Sequence, residues 1–140
     1  MAISIPDLWP GDLTVDVLSP LAILRAQASL LEQKTKGLLR AEVTTNVVEK
    51  KDVQHQFDIV APALNKYRYR VLVASHKPDL VYPVVIRWSP DAYEIEYSES
   101  ELLHALGNIL SSVSVRSVID SLIAKSNEAK DGGESNNDDL

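Results

Sequence analysis

The residues whose types and spacing come nearest to chemistry are three carboxylates, Asp79 directly after Pro78 and the pair Glu94 and Glu96 flanking Ile95. Two residues apart on a strand, Glu94 and Glu96 project from the same face. Carboxylates converging from a turn and a neighbouring strand can hold a divalent cation such as Mg²⁺. Such a cation polarises a phosphoryl oxygen and lowers the pKa of a bound water.

The pattern Pro78-Asp79 with Glu94-Ile95-Glu96 resembles the PD-(D/E)xK nuclease motif, with Glu96 standing where that family has a lysine. The resemblance covers under a fifth of the chain and reaches only Asp79, Glu94 and Glu96. It implies metal-holding carboxylates but lacks the group that helps to activate water and stabilise charge. The other reading of the same residues is a set of carboxylates on the solvated face of a strand.

A second run, Lys66-Tyr67-Arg68-Tyr69-Arg70, interleaves aromatic and basic residues. On a strand it places Tyr67 and Tyr69 on one side and Arg68 and Arg70 on the other, so stacking and phosphate contacts fall on opposite faces. Single-strand nucleic-acid binders need both in one groove. The spacing therefore favours tyrosines packed under a helix and arginines paired across the sheet with Glu42, Glu94 or Glu96. His55, His76 and His104 show no HxH or HExxH spacing, so no metal site is expected from them. No serine lies in a G-x-S-x-G context, and the glycines form no phosphate-cradling loop. No cofactor is expected. The aromatics Tyr82, Trp88, Tyr93 and Tyr97 all come from one hairpin, and together with Arg68 and Arg70 they are the candidate surface for a protein partner.

The elements that must position these residues follow from changes of period. Residues 1–18 are apolar but interrupted by Pro6, Pro10 and Gly11, with a turn at Trp9-Pro10-Gly11-Asp12. The alternation of Leu13, Val15 and Val17 suggests a short strand or an arm laid on the chain's own core, the alternative being exchange with a neighbouring subunit. Ser19-Pro20 opens a helix that ends near Lys34 to Lys36 and stops at Gly37. A period of two then takes over. It gives strands through Leu39–Val47, Val53–Ile59, Tyr67–Ser75 and Leu80–Trp88, and a short fifth with Tyr93, Ile95 and Tyr97. Pro83 lacks a ladder donor, which predicts an edge or a bulge for the fourth strand. Ser98 and Glu101 form a capping box for a helix bearing Leu102, Leu103, Leu106 and Ile109. After a break at Ser111 to Ser114, with Ser114 as cap, a last helix carries Val115, Val118, Ile119, Leu122 and Ile123.

The expectation is an α+β fold. It comprises an antiparallel sheet of four to five meander strands with an N-terminal helix and a C-terminal helical hairpin, divided into an arm (1–18), one domain (19–126) and a disordered acidic tail (127–140). The 140 residues suffice for one core without staples. Of the net charge of −6, residues from Asn127 onward carry −4, leaving the body nearly neutral at −2. That balance speaks against duplex nucleic acid as a partner, and no run of apolar residues is long enough to cross a membrane. The absence of cysteine fits a reducing compartment, so a cytoplasmic location is expected. Together these readings point to a non-enzymatic protein-interaction module. An immunity, antitoxin or inhibitor-like role or a small assembly component would fit, with a bacterial or phage origin and a homo-oligomer among the expectations. The alternative is a metal-dependent nuclease-like enzyme or small-ligand binder using Asp79, Glu94 and Glu96.

Overall fold

In the computed structural model, which describes residues 4–13, 17–88 and 93–135, helix α1 spans Pro20–Lys34. The Ser19 hydroxyl accepts the Ala22 N–H at 3.1 Å, and Pro20, with no N–H to leave unpaired, fills the first helical position. The helix closes on Thr35. Its hydroxyl lies 3.0 Å from the carbonyls of both Leu31 and Leu39 and accepts the Leu39 N–H at 3.1 Å, which fastens the last turn to the strand that follows. Lys36 and Gly37 share the left-handed conformation that reverses the chain, with φ of 52° and 80°.

Five strands follow, β1 (Arg40–Val48), β2 (Asp52–Ala61), β3 (Tyr67–His76), β4 (Val84–Trp88) and β5 (Tyr93–Tyr97), paired in sequence order and antiparallel throughout. Short connections between period-two segments allow little else. A 3₁₀ turn, Pro62–Leu64, joins β2 to β3. The β2–β3 register slips between Phe57, opposite Leu72, and Asp58, opposite Arg70, leaving Val71 as a bulged residue. Because of that extra residue, Tyr67 and Tyr69 share a face with Leu72 and Ala74, while Arg68 and Arg70 share the other face with Val73 and Ser75.

Two helices complete the chain, α2 (Glu99–Leu110) and α3 (Val113–Ser135). The Glu101 carboxylate accepts from both the N–H and the hydroxyl of Ser98, which holds it below the usual carboxylate range. Ser112, not Ser114, caps α3: the Val115 N–H donates to its Oγ at 3.3 Å and the Arg116 N–H to its carbonyl at 2.9 Å. Residues 127–135, assigned to a disordered tail by composition, continue α3 as helix, and 136–140 lie outside the described residues. Once a helix is nucleated, a stretch such as Asn127-Glu-Ala-Lys needs only ordinary propensity to extend it.

All three helices cover one face of the sheet. Ile23 and Leu24 from α1, Leu102, Leu106 and Ile109 from α2, and Val115 and Leu122 from α3 pack on Phe57, Ile59, Leu72, Ala74 and Ile86. The architecture is therefore the α+β arrangement expected from the periodicity. Pro83 behaves otherwise than expected. Strand β4 begins one residue after it and is paired on both sides, so the proline precedes an interior strand and the sheet edges are β1 and β5. Among the described residues no single helix is long and apolar enough to cross a membrane. Helices α2 and α3 meet that test only as a pair, bent by 50° at their junction.

Candidate functional site

The open face of the sheet carries a cluster of charged residues that pair with one another. Arg68 pairs with Glu42 and, at 3.3 Å, with Asp58; Arg70 reaches Asp58 at 3.0 Å and Gln56 Oε1 at 3.0 Å. The Asp58 side chain is only 4% exposed although no helix covers it, because the two guanidiniums lie over it. The expected cross-sheet pairing of these arginines is met through Glu42; the buried partner Asp58 is new. Its carboxylate and Glu42 together keep Arg68 protonated even more firmly than usual, with the Glu42 hydrogen bond contributing most.

Asp79, Glu94 and Glu96 do not come together. Asp79 is exposed in the β3–β4 connection, Glu94 lies opposite Arg87, and Glu96 lies opposite Val85. Glu96 instead borders a depression of about 200 Å³ with Asp52, His76 and Lys77, where Lys77 and Asp52 form an ion pair at 3.1 Å. Among the described residues there is no group of three or more His, Asp or Glu side chains placed to hold a metal ion.

The histidines, which show no HxH or HExxH spacing in the sequence, include a contacting pair. The Nε2 atoms of His55 and His76 are 2.9 Å apart, His55 Nδ1 lies 2.8 Å from the Thr45 hydroxyl, and His76 Nδ1 lies 2.8 Å from the carbonyls of Lys77 and Leu80. Carbonyls only accept, so His76 carries its proton on Nδ1 and, when neutral, accepts at Nε2 from His55, whose Nδ1 in turn accepts from Thr45. The chain of donors runs in one direction from β1 to the β3–β4 connection. Burial, then the neighbouring His76, then the more distant Arg25 lower the His55 pKa from 6.5 to about 4. His104 is exposed on α2.

The aromatic set of the last hairpin is mainly structural in placement. Tyr82, Trp88 and Tyr97 are half-buried and pack against the core, while the side chain of Tyr93, whose backbone pairs with Trp88, lies outside the described residues. Tyr82 has a further role. Its hydroxyl donates to the Leu18 carbonyl at 2.6 Å, and burial, aided by Glu99, pushes its pKa up.

That hydrogen bond ties down the base of a segment that is otherwise uncovered. Ile5, Leu8, Trp9 and Leu13 are 81%, 84%, 76% and 67% exposed, and Val17 and Leu18 are also exposed. The expectation of an arm lying on its own core is not met. The described residues 4–13 form no strand and contain only a turn at Gly11-Asp12 and a local bond from the Trp9 N–H to Asp7 Oδ1 at 3.0 Å; Val15 of the expected alternation lies outside the described residues. The physical reason is local: Pro6 and Pro10 remove donors that a ladder would need.

A second apolar feature opens between α1 and the α2–α3 junction. It is a cleft of about 310 Å³ floored by Phe57 and Ile59 and walled by Leu31, Leu110, Val115 and Ile119, with Lys34 as its one charged lining residue. The size is at the lower end of ligand sites, and the lining suits an apolar side chain or two rather than a polar substrate. Composition does not reveal the cleft, because its residues belong to four elements and read individually as core. The exposed arm had a fainter signal, an apolar segment with prolines at 6 and 10 and no helical or sustained alternating pattern.

Compared with protein-family models, curated proteins and solved structures, the chain matches none.

Proposed function

We propose that this chain is a non-enzymatic protein-interaction module that works by apolar complementarity, with the segment Ile5–Leu13 as its docking element. The observation that carries the reading is the exposure of Ile5, Leu8, Trp9 and Leu13 in one short stretch. Covering a side chain of this kind is favourable by about 1.5–3 kcal/mol, and several large apolar side chains left uncovered in one short stretch are what interaction sites present. The mutually paired cluster of Glu42, Asp58, Arg68 and Arg70 and the separated carboxylates Asp79, Glu94 and Glu96 add support, since neither presents convergent groups for catalysis.

The test compares two full-length baits, the unaltered chain and a Leu8→Ser/Trp9→Ser variant, against proteins of the native host and against differently tagged copies of the chain itself. Both substituted positions are exposed, so folding is retained. The reading expects at least one polypeptide to be held by the unaltered bait and lost from the variant. Equal retention by both baits would overturn it.

A further inference from the structure

We infer that the occupant of the cleft between α1 and the α2–α3 junction is the Ile5–Leu13 segment of a second copy, exchanged reciprocally in a two-fold pair. This rests on the interaction reading above and names the partner. The two surfaces complement each other in polarity and in charge. The segment offers Leu8 and Trp9 at 84% and 76% exposure, and the cleft offers a floor and walls of Phe57, Ile59, Leu110 and Ile119 with Leu30 at its mouth, 41% exposed. The segment carries Asp7 and Asp12, and no Lys, Arg or His occurs in the sequence before Arg25. The cleft carries Lys34 and no acidic lining residue. An acidic apolar strip thus faces an apolar slot with a cation on its wall.

The route favours a second copy over the chain's own segment. The segment joins α1 at its first turn, where Tyr82 holds the Leu18 carbonyl and Ser19 begins the helix. At 1.5 Å per residue, Leu31 and Lys34 lie roughly 16–21 Å farther along α1. To fill its own cleft the segment would have to reverse just ahead of the fixed Leu18 and run back along the helix. Pro6 and Pro10 instead favour an extended strip that leads away from the body. Extension outward into a neighbour needs no reversal, and exchange of identical elements is a low-cost route to a closed dimer.

The absence of cysteine in the chain makes the test clean. A full-length Leu8→Cys protein is mixed with a full-length Leu30→Cys protein, oxidised mildly and sized, alongside light scattering of the unaltered chain over a range of concentrations. The expected results are twice the chain mass, a disulfide between the two different variants that exceeds either self-pairing, and dimer association weakened about tenfold by Lys34→Glu. A mass of one chain at every concentration would overturn the inference. So would a Leu8→Cys/Leu30→Cys double variant that closes its disulfide only within one chain. If the bait experiment still yields a partner dependent on Leu8 and Trp9 while the chain stays monomeric, the interaction reading stands and the exchange alone fails.

Discussion

The imidazoles of His55 and His76 meet Nε2 to Nε2 at 2.9 Å, which joins β2 to the end of β3 by a bond that carries one proton in one direction. With Thr45 donating to His55 Nδ1, the neutral state satisfies every nitrogen. His55 is buried and its pKa is lowered to about 4.

Stability should therefore fall on acidification across a defined window. In the unfolded chain His55 takes up a proton near its ordinary value of about 6.5, whereas the folded chain resists until about pH 4. The unfolded state binds more protons between these values, so the contribution is complete above about pH 6.5, declines as pH falls, and is gone below about pH 4. The expected loss is at most about 2–3 kcal/mol after allowance for relaxation of the site. Urea unfolding at pH 7.0 and pH 4.5 measures it, with His55→Gln expected to flatten the dependence. An unchanged slope in that variant would rule out His55 as the source.

Asp58 offers a contrast between a buried acid and its exposed partners. Replacing Arg70 with Ala opens the carboxylate to water, and the loss should stay within about 1 kcal/mol, as for other solvent-facing pairs. Replacing Asp58 with Ala strips two guanidiniums of their shared acceptor and leaves a gap beneath them, with an expected cost of about 1–3 kcal/mol. Equilibrium denaturation of the two variants should rank Asp58→Ala as the more damaging. The reverse order would mean that the cluster contributes through Arg70 packing.

Thr35 is expected to matter more than its position after a helix suggests. Its hydroxyl serves the Leu39 N–H and stands between the Leu31 and Leu39 carbonyls, so Thr35→Val preserves shape and removes the polar link. A loss of about 1–2 kcal/mol is expected. Thermal melting should show a lower Tm for Thr35→Val, and a melt matching the unaltered chain would refute the link's importance.

The starts of α1 and α2, the five strands and the apolar faces were legible in the sequence because each depends on neighbours a few residues apart. Ser19 with Pro20 and Ser98 with Glu101 are of that kind. What escaped depends on pairing between distant segments. The contact of His55 with His76 requires the β2–β3 register, in which Val53 faces His76 and His55 faces Ala74, and spacing along the chain does not supply it. The burial of Asp58 requires two arginines from the next strand. The status of Pro83 depended on where β4 starts, a boundary that alternation leaves loose by a few residues. For the candidate site, Leu8 and Trp9 were visible as apolar, but their exposure follows from what the rest of the fold leaves unoccupied.

The bulge at Val71 makes that position the one place in β3 where a lost codon does least harm to the register. Removing Val71 would set Arg70 directly before Leu72, and simple alternation would then keep Tyr67 and Tyr69 on the helix side and Arg68 and Arg70 on the open face, still opposite the same β2 partners. Removing Tyr69 instead, with Val71 taking up a regular place, would carry Arg70 to the helix side, and removing Arg70 would leave Val71 in its place opposite Asp58. Length changes among natural variants should therefore gather at Val71 and be purged from the residues on either side of it.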